Sequence, residues 1–186
     1  MTRSAKATIA AILLAACLAS AQDKKQGPTY EETRKWIVNK IAEAGYKHTG
    51  GISEDSGSYE NVSMDDCRLA YSKVWVYSVN GNQSHYKDET QIPLRQVKAN
   101  DIEVKQYVMP NLGWNDWGVD INAPVGTEKS TKTKPGVAGE QITNHSNVGG
   151  QILFGRTPAT NEDNANRLKK ALEHAVELCK TQVEPF

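Results

Sequence analysis

Beyond residue 21 the chain has no apolar run approaching the roughly 18 residues of a membrane span. Neither sign of charge dominates, since 22 basic residues stand against 22 acidic ones. Residues 1–21 hold Arg3 and Lys6 and no acid, so the remainder carries 20 basic and 22 acidic residues, a net charge of −2. No basic run stands out, which argues against a nucleic-acid partner. Histidine is scarce as well. No two of His48, His85, His145 and His174 lie within four residues of one another, so no local zinc pair exists. There is no Gly-x-Ser-x-Gly elbow to support a hydrolase serine. Gly149-Gly150 lacks the lysine and the following helix of a phosphate loop. Asn161 to Asn166 has the look of a calcium loop but fails as one. Ala165 takes its fifth position, Asn166 replaces the glycine, and Leu172 stands where a bidentate Glu is needed. Neither a metal nor a cofactor is expected.

Hydrophobic residues make up 38% of the 186, low for a packed domain and too high for a disordered chain. That length fits one domain with appendages, built on one modest core with long polar loops.

The N-terminus is the clearest signal. Met1 to Lys6 is short and basic, Ala7 to Leu18 is almost wholly apolar, and Ala19-Ser20-Ala21 gives a small-x-small cleavage pattern before Gln22. Residues 1–21 therefore read as a secretory signal peptide, which implies export to the periplasm or beyond the cell. Leu14-Ala15-Ala16-Cys17 also resembles the lipobox of bacterial lipoproteins. That resemblance implies acylation of Cys17, the chain's one route to a membrane. Both cleavages stay open.

Residues 22–28 read as a flexible tether, and 29–186 as one domain. Thr29 followed by Glu32 is a capping box, and Tyr30, Thr33, Ile37, Ile41 and Ala44 form a helical stripe behind it. Trp36 lies beside that stripe and reads as core. Gly45 is placed to end the helix in a left-handed conformation. Gly50 to Gly57 reads as a loop, Tyr59 to Met64 as a short strand, and Cys67 to Val79 as a central strand. Asn80-Gly81 marks a hairpin turn. Strands are expected over 91–97, 102–108, 114–121 and 151–154. Residues 125–150 are rich in Gly, Thr, Lys, Ser and Asn and read as a mobile loop. The closing stretch, Thr160 to Lys180, carries Ala165, Leu168, Leu172, Ala175 and Cys179 at helical spacing, with Thr160 as N-cap.

The expected class is α+β: a meandering antiparallel sheet of about five or six strands, flanked by an N-terminal and a C-terminal helix. A bent sheet closed by its C-terminal helix, as in pleckstrin-homology-like domains, satisfies the same order. Leu168 and Leu172 should be buried against strand residues such as Leu69 or Tyr71.

The closing helix, with Ala165, Arg167, Leu168, Lys170, Ala171, His174 and Cys179 in that spacing, resembles the end of a group of exported bacterial proteins with no assigned activity. Those proteins also open with a Thr-capped, Trp-containing helix, as at Thr29 and Trp36. The resemblance implies no activity or site.

After export Cys67 and Cys179 form an even pair in an oxidising compartment, which suits a disulfide. The alternative is two buried thiols that never meet. Cys179 lies on the apolar stripe and Cys67 at a strand start, so neither suits an exposed nucleophile. The most site-like cluster is Gly113-Trp114-Asn115-Asp116-Trp117-Gly118. Trp114 and Trp117 can stack on a sugar or peptide while Asn115 and Asp116 fix its orientation. A turn between strands uses the same Asn, Asp and Gly for geometry alone, and that reading comes first. Asp116 and Asp120 share a strand face but sit roughly 13 Å apart along it. That is beyond the roughly 5–9.5 Å of paired glycosidase carboxylates. The sequence reads as a non-catalytic binding or envelope-interaction module for an envelope component or small ligand. The alternatives are a hydrolase of envelope glycan or peptide using carboxylates near Trp114 and Trp117, and a structural envelope protein.

Overall fold

Thr29 starts the first helix as its capping box requires. Its backbone N–H donates to Glu32 Oε2 at 2.8 Å, and the Glu32 N–H donates to Thr29 Oγ1 at 3.3 Å. Helix α1 spans Tyr30–Glu43 and buries Thr33, Ile37 and Ile41. Ala44 caps it in extended conformation, so the helix ends before Gly45. Gly45, with φ 148°, is instead the first residue of a strand.

The computed structural model describes residues 27–109, 114–124, 126–134, 137–144, 149–155 and 160–181, with the backbone alone for 109, 127–134 and 137–144. The expected leader over residues 1–21, Cys17 and most of the expected tether lie outside the described residues. The strands are β1 (Gly45–Gly50), β2 (Ser53–Asp65), β3 (Arg68–Val79), β4 (Asn82–Pro93), β5 (Ile102–Met109), β6 (Trp114–Asn122), β7 (Thr127–Lys134), β8 (Val137–Asn144) and β9 (Gly149–Phe154). Two 3₁₀ turns, Leu94–Gln96 and Ala99–Asp101, join β4 to β5, and helix α2 spans Asn161–Thr181.

The class is α+β, with one sheet and two helices. The sheet has nine strands, in the order β5-β6-β9-β1-β2-β3-β4-β7-β8. That exceeds the five or six expected, and the path is not a simple meander, because β9 inserts between β6 and β1. The β1–β9 contact is parallel and pairs only Gly45 with Phe154, so the sheet is mixed. Three sequence readings change with it. Strand β2 begins at Ser53, inside the expected 50–57 loop. Glycine is required at position 57, because a Cβ there would overlap the Tyr46 ring. Strand β4 runs unbroken to Pro93, and Leu94–Gln96 is a 3₁₀ turn rather than strand. The 125–150 segment is not one loop: β7 pairs with β4 and β8 pairs with β7. Its Thr residues suit a strand, but its Lys and Gly residues do not and there is no apolar alternation, so the period-2 signal was absent.

Three hairpin turns use left-handed residues, the first at Gly51 with φ 58° between β1 and β2. Asn80 and Gly81 have φ 51° and 79°, as the Asn-Gly pair demands. Asp66 and Cys67 have φ 47° and 59° without any glycine. Asp tolerates that conformation, whereas Cys rarely adopts it and holds it where its surroundings impose it. Here the Cys67 N–H donates to the Tyr30 hydroxyl at 3.2 Å, and Cys67 O accepts from Leu94 N at 2.8 Å. The Cys67–Cys179 disulfide, Cα to Cα 5.7 Å, ties the turn to α2.

Helix α2 buries Ala165, Leu168, Leu172, Ala175, Val176 and Cys179, the stripe read from the sequence. Leu168 and Leu172 are fully buried. Their helix packs chiefly on α1, β5, β6, β9 and the 94–96 turn, not on the central strand β3. Leu69 and Tyr71 belong to the same continuous core, from β3. At the head of α2, the Thr160 hydroxyl accepts from Asn164 Nδ2 at 3.4 Å.

Candidate functional site

The period of a strand is two, so β6 separates the four residues singled out in the sequence. Trp117 turns with Val119 and Ile121 toward the helices and packs at the edge of the core. Asn115 is exposed and accepts from Gln106 Nε2 at 2.7 Å. Trp114 and Asp116 point to the opposite side, into a cleft of about 260 Å³. The four residues therefore do not form one binding surface.

The cleft draws on six strands. Strand β1 supplies Tyr46 and His48, β2 supplies Asp55, and β3 supplies Lys73 and Trp75. From across the sheet, β5 supplies Tyr107, β6 Trp114 and Asp116, and β9 Gln151 and Leu153. Tyr59 of β2 brings the two halves together. Its hydroxyl donates to Gln151 O at 3.0 Å and accepts from Leu153 N at 2.8 Å. A side chain thus takes the place of backbone pairing where β9 parts from β1. Burial holds that hydroxyl well above the ordinary tyrosine range.

At the cleft's centre His48 Nε2 lies 2.8 Å from Asp116 Oδ2, with the two side chains only 9% and 7% exposed. The imidazole is stacked between Trp114, at 4.3 Å and 15°, and Tyr46, at 5.1 Å and 26°. This sandwich fixes the ring plane, and the Nε2 contact lacks the alignment of a hydrogen bond. His48 Nδ1 and Trp114 Nε1 are buried without a partner among the described residues. Gly155 makes the arrangement possible, because a Cβ there would come within 2.5 Å of Asp116 Oδ1 and 2.7 Å of Tyr46 Cβ.

Around that pair, burial raises the Asp55 carboxyl above its ordinary range, outweighing His48, the Tyr46 hydroxyl and Lys73, which lower it. Asp55 Oδ1 accepts from the Tyr46 hydroxyl at 3.4 Å, and burial followed by the Asp55 charge pushes that hydroxyl upward. Lys73 Nζ donates to Gln151 Oε1 at 3.3 Å and sits 5.5 Å above the Tyr46 ring. Trp75 is held from β4 on two sides. Its Nε1–H donates to Asp88 Oδ2 at 3.2 Å, and Tyr86 stacks on it at 3.7 Å and 7°. At the rim the Tyr107 hydroxyl donates to Asp120 Oδ1, and burial with that bond lifts it to about 12. Lys105 meets Glu103 Oε2 at 2.9 Å and Asp120 Oδ2 at 3.1 Å, and these contacts, Glu103 first, raise its ammonium. Asp120 is thus committed to Tyr107 and Lys105. The carboxylate that shares the cleft with Asp116 is Asp55.

A larger groove, about 660 Å³, lies between the helices beside Trp36, Ala171 and His174. Its ionisable groups mostly have partners already: His174 Nε2 meets Pro28 O at 2.9 Å, and Glu32 caps Thr29. Trp36 packs on the core edge with Lys40 at 5.9 Å and Arg167 at 5.6 Å from its ring. The smaller cleft gathers more of the chemistry. Among the described residues no three His, Cys, Asp or Glu side chains converge as a metal site. Comparison with protein-family models, with curated proteins and with solved structures finds no match.

Proposed function

We propose that the chain is an exported, non-catalytic binding module whose ligand site is the cleft around His48, Lys73 and Trp75. One observation carries the reading. The cleft collects desolvated ionisable groups against aromatic rings, where apolar residues would serve stability better. The expected leader over residues 1–21 and the Cys67–Cys179 bridge support an oxidising location outside the cytoplasm. Acylation at Cys17 is the alternative by which the mature protein is held at a membrane. The test is a nuclear magnetic resonance titration of the folded protein with a library of small fragments. Shifts should cluster at Tyr46, His48, Lys73, Trp75 and Gln151. Shifts confined to Trp36 and His174 would overturn the assignment.

A second reading, hydrolysis of an envelope glycan or peptide, draws on Asp55. Its raised carboxyl faces the same cleft as Asp116, which gives two carboxyl groups in unlike environments. Turnover of such a polymer by the wild type, abolished in Asp55→Asn, would favour it over binding alone.

A further inference from the structure

The walls of the cleft carry enough chemistry to name a ligand class, on the premise that the cleft is the ligand site. Its walls carry both signs of charge. Asp116 faces His48, and the Lys73 ammonium shares the small volume with Asp55. A cationic ligand would meet like charge in the Lys73 ammonium, which lines the cleft and already sits 5.5 Å over the Tyr46 ring. An anionic ligand would have to approach Asp55 and Asp116 together, against like charge. A neutral ligand meets neither obstacle. It finds acceptors in Asp55 and Gln151, a donor in Lys73, and aromatic surface in Trp75 and Tyr107. A molecule whose polar groups both donate and accept fits such a mixed wall, and hydroxyl groups do both.

Trp75 supplies the platform. Tyr86 and Asp88 fix its indole before any ligand arrives. Tyr86 covers one face of the indole and is not itself a lining residue of the cleft. Aromatic faces are electron-rich, and the C–H bonds of a saturated oxygen ring are weakly positive, so the two attract. A volume of about 260 Å³ suits one such ring. We infer that the cleft binds a neutral, polyhydroxylated ring, a single pyranose-sized sugar unit, lying against Trp75 with its hydroxyl groups toward Asp55, Lys73 and Gln151.

The experiment is calorimetric titration of the mature protein with glucose and N-acetylglucosamine, beside choline and acetate as charged probes. Saturable binding of a neutral sugar is expected, with choline and acetate silent. Trp75→Ala should weaken it by about tenfold or more, while Trp75→Phe, which keeps an aromatic face, should stay within about threefold. Asp55→Asn should weaken it without unfolding the protein. Choline or acetate binding that disappears in Trp75→Ala would overturn the sugar class while leaving the cleft as a ligand site. Sugar binding unchanged in Trp75→Ala and Asp55→Asn would overturn both. No binding of either sugar by the folded wild type would overturn the sugar class, leaving the fragment titration to decide the cleft.

Discussion

His48 Nε2 stands 2.8 Å from Asp116 Oδ2, while the ring plane is set by Trp114 and Tyr46 on its two faces. A buried polar pair held by stacking, without a well-aligned hydrogen bond, is a poor way to stabilise a fold. It is a good way to hold polar atoms in a fixed place beside a cleft. The remaining parts of the molecule act as the frame for that cluster.

The disulfide fastens the frame. It closes a loop of 112 residues and holds a turn with two left-handed non-glycine residues. A crosslink of that span contributes about 4–5 kcal/mol in the chain-entropy model. Reduction should lower the thermal midpoint by about 8–20 °C, read by circular dichroism with and without dithiothreitol. An unchanged midpoint would mean that the bridge carries no stability.

Helix α2 fastens it from the other side. Leu172 is fully buried, whereas Lys169 keeps about a third of its side chain in water and meets Glu173 at 3.7 Å. Leu172→Ala should cost about 2–5 kcal/mol through lost transfer energy and the cavity left behind. Lys169→Ala should stay within about 0.5 kcal/mol, as exposed pairs do. Urea denaturation of the two variants checks the contrast, and equal small effects would contradict the packing described.

Both helices were legible because their signals are local. The Thr29–Glu32 box and the Leu168–Leu172–Cys179 stripe each lie within one element and repeat at the helical period. The Asn80-Gly81 turn was legible for the same reason. The early start of β2 was hidden because Gly57 looks like a loop residue until the Tyr46 ring is laid over it. Strands β7 and β8 were hidden because polar residues give no alternation. The cleft was the least legible part. Of its walls the sequence singled out Trp114 and Asp116, by local density of aromatics and acids. Lys73, Trp75, Tyr107 and Gln151 each look ordinary on their own strands and meet only through the β9 insertion and the Tyr59 bridge. The available hint was Lys73 and Trp75 continuing the face of Leu69 and Tyr71, a charge entering an otherwise apolar stripe.

Asp55 gives the cleft a pH signature. Burial raises its carboxyl, so folding favours the protonated form. Stability from this group is fully present below the ordinary carboxylate range and is lost as pH rises through its folded value. Asparagine resembles the neutral form at every pH. Asp55→Asn should therefore gain stability relative to the wild type between about pH 3 and about pH 7. Since the site is only half-buried, the gain should be small, about 1–3 °C at neutral pH. Differential scanning calorimetry at both pH values reads it, and a relative loss at neutral pH would reverse the assignment of the burial effect.

The central claim is that His48 and Asp116 are kept for a ligand rather than for the fold. Urea denaturation of Asp116→Leu, His48→Leu and the double variant tests it most directly. Each single change strands a buried polar partner and should cost about 1–3 kcal/mol. The double change replaces the pair with apolar side chains and should restore wild-type stability or exceed it. A double variant that loses as much as the two single changes added together would show the pair holding the fold, and would contradict the claim.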